Sequence, residues 1–206
     1  GSRVYRAIDL SLGRTVCVKL MNVADDNSGD PAAPARFTAA GDALVGVHVP
    51  NVVQVFRTGL DGKHRYIVFE YVEGEDLERA VRRERALVPA AAARAVLDAA
   101  QGLAAGLERG LVHGDVRPRH LLRARGETKV TGFQLSPLYV TAQGRKLRGH
   151  PGYVAPEIAG NGVADHRADI FSLGCTLFEL VTGRPPFGQT GADALVACHV
   201  HEPFPS

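Results

Sequence analysis

The sequence predicts an α+β chain in two lobes, strand-rich first and helical after. Three observations carry that prediction. Short β-rich runs crowd the first third of the chain, the composition turns from strand-like to helix-like near Glu73-Gly74, and the later part holds two long helical periods. Residues 1–72 are therefore read as a small lobe and residues 73–206 as a larger one. With 206 residues, 45% of them hydrophobic, the two lobes can share one core.

The elements follow in order. "RVYRAIDL" (3–10) and "RTVCVKL" (14–20), separated by "SLG", read as a hairpin. The polar stretch "NVADDNSGDPAAPA" breaks regular structure. After it, "ARFTAAGDALVGV" sets Phe37, Ala40, Leu44 and Val47 on one helical stripe. "NVVQVFRTG" and "RYIVFEYV" flank "LDGKH" as a second strand pair. Residues 89–109 form an Ala-rich helix with Val96, Ala100, Leu103 and Leu107 on its apolar face. "DIFSLGCTLFELVTG" is apolar on nearly every side, which predicts a helix buried through the middle of a lobe and ended by Gly183 and the prolines beyond.

Composition excludes several function classes. A net charge of +2, carried by scattered Lys and Arg, does not predict a nucleic-acid partner. Cys17, Cys175 and Cys198 stand far apart without CxxC spacing, so neither a disulfide framework nor a structural zinc site is expected, and a reducing cytoplasm is the natural compartment. No apolar run approaches the ~20 residues of a spanning helix, and no signal segment opens the chain, so no membrane contact is expected of it.

Four segments, "HGDVRPRHLL", "KVTGFQL", "GHPGYVAPE" and "DIFSLGCTLFELVTGRPPF", occur in an order and spacing that resembles the eukaryotic-type Ser/Thr protein kinase family in its bacterial form. The resemblance runs over essentially the whole chain and implies the bilobal kinase-like fold. "GSR" then occupies the end of the family's Gly-rich loop, or is a cloning remnant, and "EPFPS" falls before the family's last helices. Both ends of the domain are expected to be missing.

What the resemblance implies for catalysis is mixed. In the family a strand Lys holds phosphates, a helix Glu holds that Lys, two metal ions screen the charge and an Asp serves as base. Here Lys19 matches the strand Lys and Asp115 the base, with Arg117 at the loop Lys. Ala40 stands where the Glu belongs, and Gly132 and His120 stand where the two metal ligands belong. Asp42, two residues on along the helix, is expected to face away from Lys19, and Asp25 and Asp26 are the other candidate partners. Gly114 replaces the Arg that reads a phosphorylated activation loop, and His150 replaces a Thr near the base. No metal site is expected, because magnesium needs hard oxygen ligands that Gly and His do not supply. Asp115 itself reads equally as a retained base and as a buried carboxylate that caps backbone amides.

The same resemblance assigns Val4, Cys17, Phe69 (gatekeeper), Glu70 and Val72 (hinge backbone), Asp76 (ribose) and Leu122 (floor) to a nucleotide pocket, alongside Lys19 and His120. An adenine site and a pocket filled by Phe69, Cys17 and Leu122 both remain open. Leu44, Val55, His113 and Phe133 match the stack that joins the lobes, Asp169 the residue that anchors its base, and Glu157 closes "APE". Losing an acidic ligand while keeping Lys19 and Arg117 and gaining His120 predicts a more cationic phosphate end, able to hold ATP or ADP without magnesium.

The leading expectation is a pseudokinase, a signalling or scaffolding module with protein partners such as an active kinase or a phosphopeptide-binding protein. Phosphorylation at Thr141 or Tyr139 would be one way to regulate it. The alternative is an active but atypical ATP-dependent Ser/Thr kinase that uses Asp115.

Overall fold

The computed structural model of the chain describes residues 2–22, 32–133, 135, 138–140, 146–159, 165–188 and 191–205, with backbone alone for 138–140, 146–148 and 159. Asp25, Asp26 and Thr141, and the side chain of Tyr139, lie outside the described residues.

Strands β1 (Ser2–Asp9), β2 (Arg14–Asn22), β3 (Val55–Asp61) and β4 (His64–Glu70) make one antiparallel sheet in the order β1-β2-β4-β3. The two predicted hairpins are both present. Gly62 turns the second with φ +55°, a left-handed conformation that favours glycine. The register sets Lys19 of β2 opposite Val4 on one side and Ile67 on the other, and Cys17 opposite Phe69.

Helix α1 (Ala33–Asp42) packs on β3 and β4 through Phe37, Ala40 and Gly41. The apolar stripe predicted a helix running on to Val47, but α1 stops at Asp42 and Gly46 holds φ +77°. Leu44 and Val47 are buried all the same, because a compact turn after the helix carries them inward.

The second lobe begins with β5 (Glu75–Asp76) and the helices α2 (Leu77–Glu84) and α3 (Pro89–Leu107). A 3-10 turn over Pro118–His120 leads into β6 (Leu121–Ala124) and β7 (Glu127–Val130), and then come β8 (Leu138–Val140), β9 (Lys146–Arg148), α4 (Pro156–Ala159), α5 (His166–Thr182) and α6 (Ala192–His201). Asp76 caps α2 through the Arg79 amide at 2.9 Å, and Asp165 caps α5 through the Arg167 amide at 2.8 Å. Gly183 ends α5 with φ +78°, as expected for a left-handed cap.

The buried face of α3 is only partly the one read from its large residues, since Val96 and Leu103 pack half-buried against the core as expected. Leu107 is 42% exposed and Ala100 is exposed, while Ala92, Ala95, Ala99, Gly102, Ala105 and Gly106 face the core. Close approach is the reason. A Cβ on Gly102 would lie 2.5 Å from the Asn51 carbonyl oxygen, and one on Gly106 would collide with the Phe133 ring. Likewise α5 is not buried all round, since Ile170 is 63% exposed on its outer side.

The lobes are joined behind the cleft. The loop after α1 lies against β7, with Val53 N–H donating to Val130 O at 2.9 Å and Val130 N–H to Asn51 O at 2.8 Å. Asn51 Nδ2 donates to Thr128 O, and the Thr128 amide donates to the buried Asp98 carboxylate on α3. One core cluster spans both lobes, from Phe37 and Ile67 to Leu173 and Leu180.

Candidate functional site

The sharpest geometry lies in the loop between α3 and β6. Asp169, on the first turn of α5, accepts the His113 amide at 2.7 Å and the Gly114 amide at 2.8 Å, so the base of the larger lobe clamps this loop through its backbone. The His113 ring takes the Asp115 N–H on Nδ1 at 3.1 Å and meets the Thr131 carbonyl from Nε2 at 3.0 Å. That pair of partners fits the neutral Nε2–H tautomer, and burial pushes the imidazole pKa down. His113 stacks on Phe133 with ring centroids 4.9 Å apart, and Leu44, Val55 and Phe133 lie together in the core cluster.

Asp115 is enclosed. None of its side-chain surface is exposed. Its Oδ1 accepts the His150 amide at 2.8 Å and lies 3.4 Å from Arg117 Nε, while Oδ2 has no hydrogen-bond partner among the described residues. Burial raises its pKa against the pull of Arg117. His150 therefore acts on Asp115 through its backbone. Gly149 makes that approach possible, because it holds φ +91° and a Cβ there would strike the Gly114 carbonyl.

His120 sits on the other side of Asp115. Its Nδ1 donates to the Asp115 carbonyl at 2.7 Å, and burial, with His113 and Arg117 nearby, drives its pKa well below the usual range. The ring is neutral, so His120 adds no charge to the cleft, contrary to the expectation drawn from sequence. Arg119 supplies a cation instead. It is exposed, and close enough to Lys19 to push the Lys19 pKa down.

Lys19 is half-buried on β2, and no carboxylate lies within ion-pair distance of it among the described residues. Burial lowers its pKa to about 8, with Asp115 opposing the shift. Ala40 is 1% exposed on the inner face of α1 and brings no charge. Asp42 is exposed and engaged by the Thr58 hydroxyl, and it makes no ion pair with Lys19 among the described residues.

The residues assigned to the nucleotide pocket divide into several groups. Cys17, Val72 and Leu122 are half-buried against the core, Phe69 is buried, and Val4 is 62% exposed. Burial pushes the Cys17 thiol up, which leaves it a weak nucleophile. Asp76 caps α2 and pairs with Arg79. The Glu70 carboxylate is committed to the Gln54 amide at 2.9 Å and to Lys129 Nζ at 2.6 Å. Glu157 is exposed on α4. Lys129, Arg119 and the His150 amide were not legible as site groups, because each acts across the fold and no local pattern marks it.

The family model for the protein kinase domain matches residues 1–204. The chain belongs to the protein kinase family. Curated kinase relatives include a probable serine/threonine-protein kinase pknA2 of Bifidobacterium longum, 32% identical over 98% of this chain and 28% of the relative. The serine/threonine-protein kinase PknB of Mycobacterium tuberculosis is 33% identical over 99% of this chain and 34% of its own length. A probable serine/threonine-protein kinase of Streptomyces coelicolor is 33% identical over 98% and 31%. The chain thus spans about a third of the length of these kinases. No helix among the described residues is long and apolar enough to cross a membrane.

The magnesium ions that the kinase family implies do not fit the donors here. Gly132 has no side chain, and a neutral imidazole with Nδ1 already bound to a carbonyl offers one soft nitrogen where hard oxygens are needed. Among the described residues no group of three or more His, Cys, Asp or Glu side chains is placed to hold a metal.

Proposed function

We propose that this chain is a pseudokinase, a kinase-fold module that works by binding rather than by phosphoryl transfer. The observation that carries the reading is the enclosure of Asp115. A general base must come within hydrogen-bond reach of its substrate hydroxyl, and this carboxylate has no exposed surface and is flanked by Arg117 and the His150 amide. The unsuitable donors at Gly132 and His120 support it independently.

Nucleotide without metal is part of the same proposal. Lys19 and Arg119 leave positive charge at the phosphate end with no described carboxylate paired to Lys19, which suits an anionic ATP or ADP tail. Metal-free affinity should then fall as pH rises through about 8, where Lys19 loses its proton. The partners are proteins, an active kinase or a phosphopeptide reader, in a cytoplasmic setting.

The second reading is an active, atypical kinase, favoured by the retention of Lys19 and Asp115 and by the names of the relatives. A phosphoryl-transfer assay with magnesium and with manganese separates the two, using Asp115→Asn as control. The pseudokinase reading expects no transfer that depends on Asp115. Metal-dependent transfer abolished in Asp115→Asn would overturn it.

A further inference from the structure

A cavity of about 270 Å³ lies between the His113–Asp115 loop, the segment 149–158 and the start of α5. Val112, Val154, Ala155, Ile158 and Ala168 give it an apolar wall, and Arg36 of α1 reaches its edge. None of Val4, Cys17, Lys19, Phe69, Val72 or Leu122 lines it, so it is separate from the nucleotide pocket.

Two facing glycines line it. Gly114 and Gly149 hold φ +78° and +91° and approach so closely that a side chain on Gly149 would strike the Gly114 carbonyl. The polar groups around the space are largely spent on one another. Both Asp169 oxygens take loop amides, Ser172 Oγ donates to the Tyr153 carbonyl at 2.7 Å, and Asp115 Oδ1 takes the His150 amide. Water would find few partners on such a wall, whereas an apolar ligand would fit it. An apolar cavity of roughly 150 Å³ accommodates benzene, so this one suits one or two fused rings. A charged ligand would lose its hydration against a wall that is mostly apolar.

We propose that this cavity is a regulatory site for a compact, neutral, ring-containing apolar molecule. The ligand would lie against the peptides that fix Asp115, namely the His113–Gly114 amides held by Asp169 and the His150 amide held by Asp115 itself. Occupancy would press the segment 149–154 and the loop 113–115 into one unit. The proposal holds whether or not the chain transfers phosphate.

The test is a titration of the 206-residue chain with indole, followed by amide chemical shifts and by hydrogen exchange at residues 149–154. The expected result is saturable shifts at Gly114, Gly149 and Gly152 and slower exchange at His150. Two cavity-filling variants, Ala168→Leu and Ile158→Phe, should lose the saturable shifts while staying folded by far-ultraviolet circular dichroism. If either variant fails to fold, the other decides. The proposal is overturned if no saturable shift occurs, if a folded filled variant binds indole as well as the parent, or if the shifts fall instead at Phe69, Val72 and Leu122.

Discussion

Arg117 Nε lies 3.4 Å from Asp115 Oδ1, and the carboxylate it faces has no exposed surface. Burial nevertheless wins over this attraction, since the Asp115 pKa is raised, so the ionised form is a net cost to the fold. The cost is present above the ordinary carboxylate pKa near 3.8 and is relieved as pH falls below the raised value. Asp115→Asn keeps an oxygen for the His150 amide and should change stability at pH 7 by less than about 1 kcal/mol. Arg117→Ala strands a buried charge and should cost about 3 kcal/mol. Urea denaturation of both variants checks the asymmetry, and equal losses would contradict it.

Lys19 gives a second pH signature. Its pKa in the folded chain is about 8 against 10.5 for an unperturbed lysine, so folding disfavours its protonated form. The penalty is full below pH 8 and fades as pH rises towards 10.5. Lys19→Met should therefore raise stability at pH 7 by about 2 to 3 kcal/mol, with the gap narrowing by pH 9.5. A gap that does not change with pH, measured by denaturant midpoints, would remove burial of the charge as its cause.

Restoring oxygen donors should restore metal dependence. A Cβ on Gly132 would meet only the His120 ring, at 3.6 to 3.8 Å, so Asp fits there, although φ +91° costs an L residue about 1 to 3 kcal/mol. The double variant Gly132→Asp, His120→Asn should show a magnesium-dependent increment in ATP thermal shift that the parent lacks. No increment would mean that these two positions are not what separates the site from a metal-binding kinase.

Gly102 should resist replacement. Alanine is worth about 1 kcal/mol more than glycine within a helix, yet its Cβ would lie 2.5 Å from the Asn51 carbonyl oxygen, where α3 meets the loop that joins the lobes. Gly102→Ala should destabilise the chain by about 1 to 3 kcal/mol. A thermal scan showing a raised midpoint would disprove the close approach.

The sequence by itself determined the element order, the two hairpins, the lobe plan and the family, because strand alternation, turn glycines and motif spacing are local along the chain. It also supplied the identities Ala40, His120 and Gly132 on which the proposed loss of metal and lysine partners rests, and these need no coordinates. Only the tertiary structure decided that Ala100 and Leu107 of α3 lie outside while Gly102 and Gly106 make its close backbone approaches. It alone decided that His120 is neutral, that Arg119 is the cation near Lys19, and that His150 holds Asp115 through its amide. Charge state and enclosure follow from burial and from partners distant in sequence, and neither is written in the residues beside them.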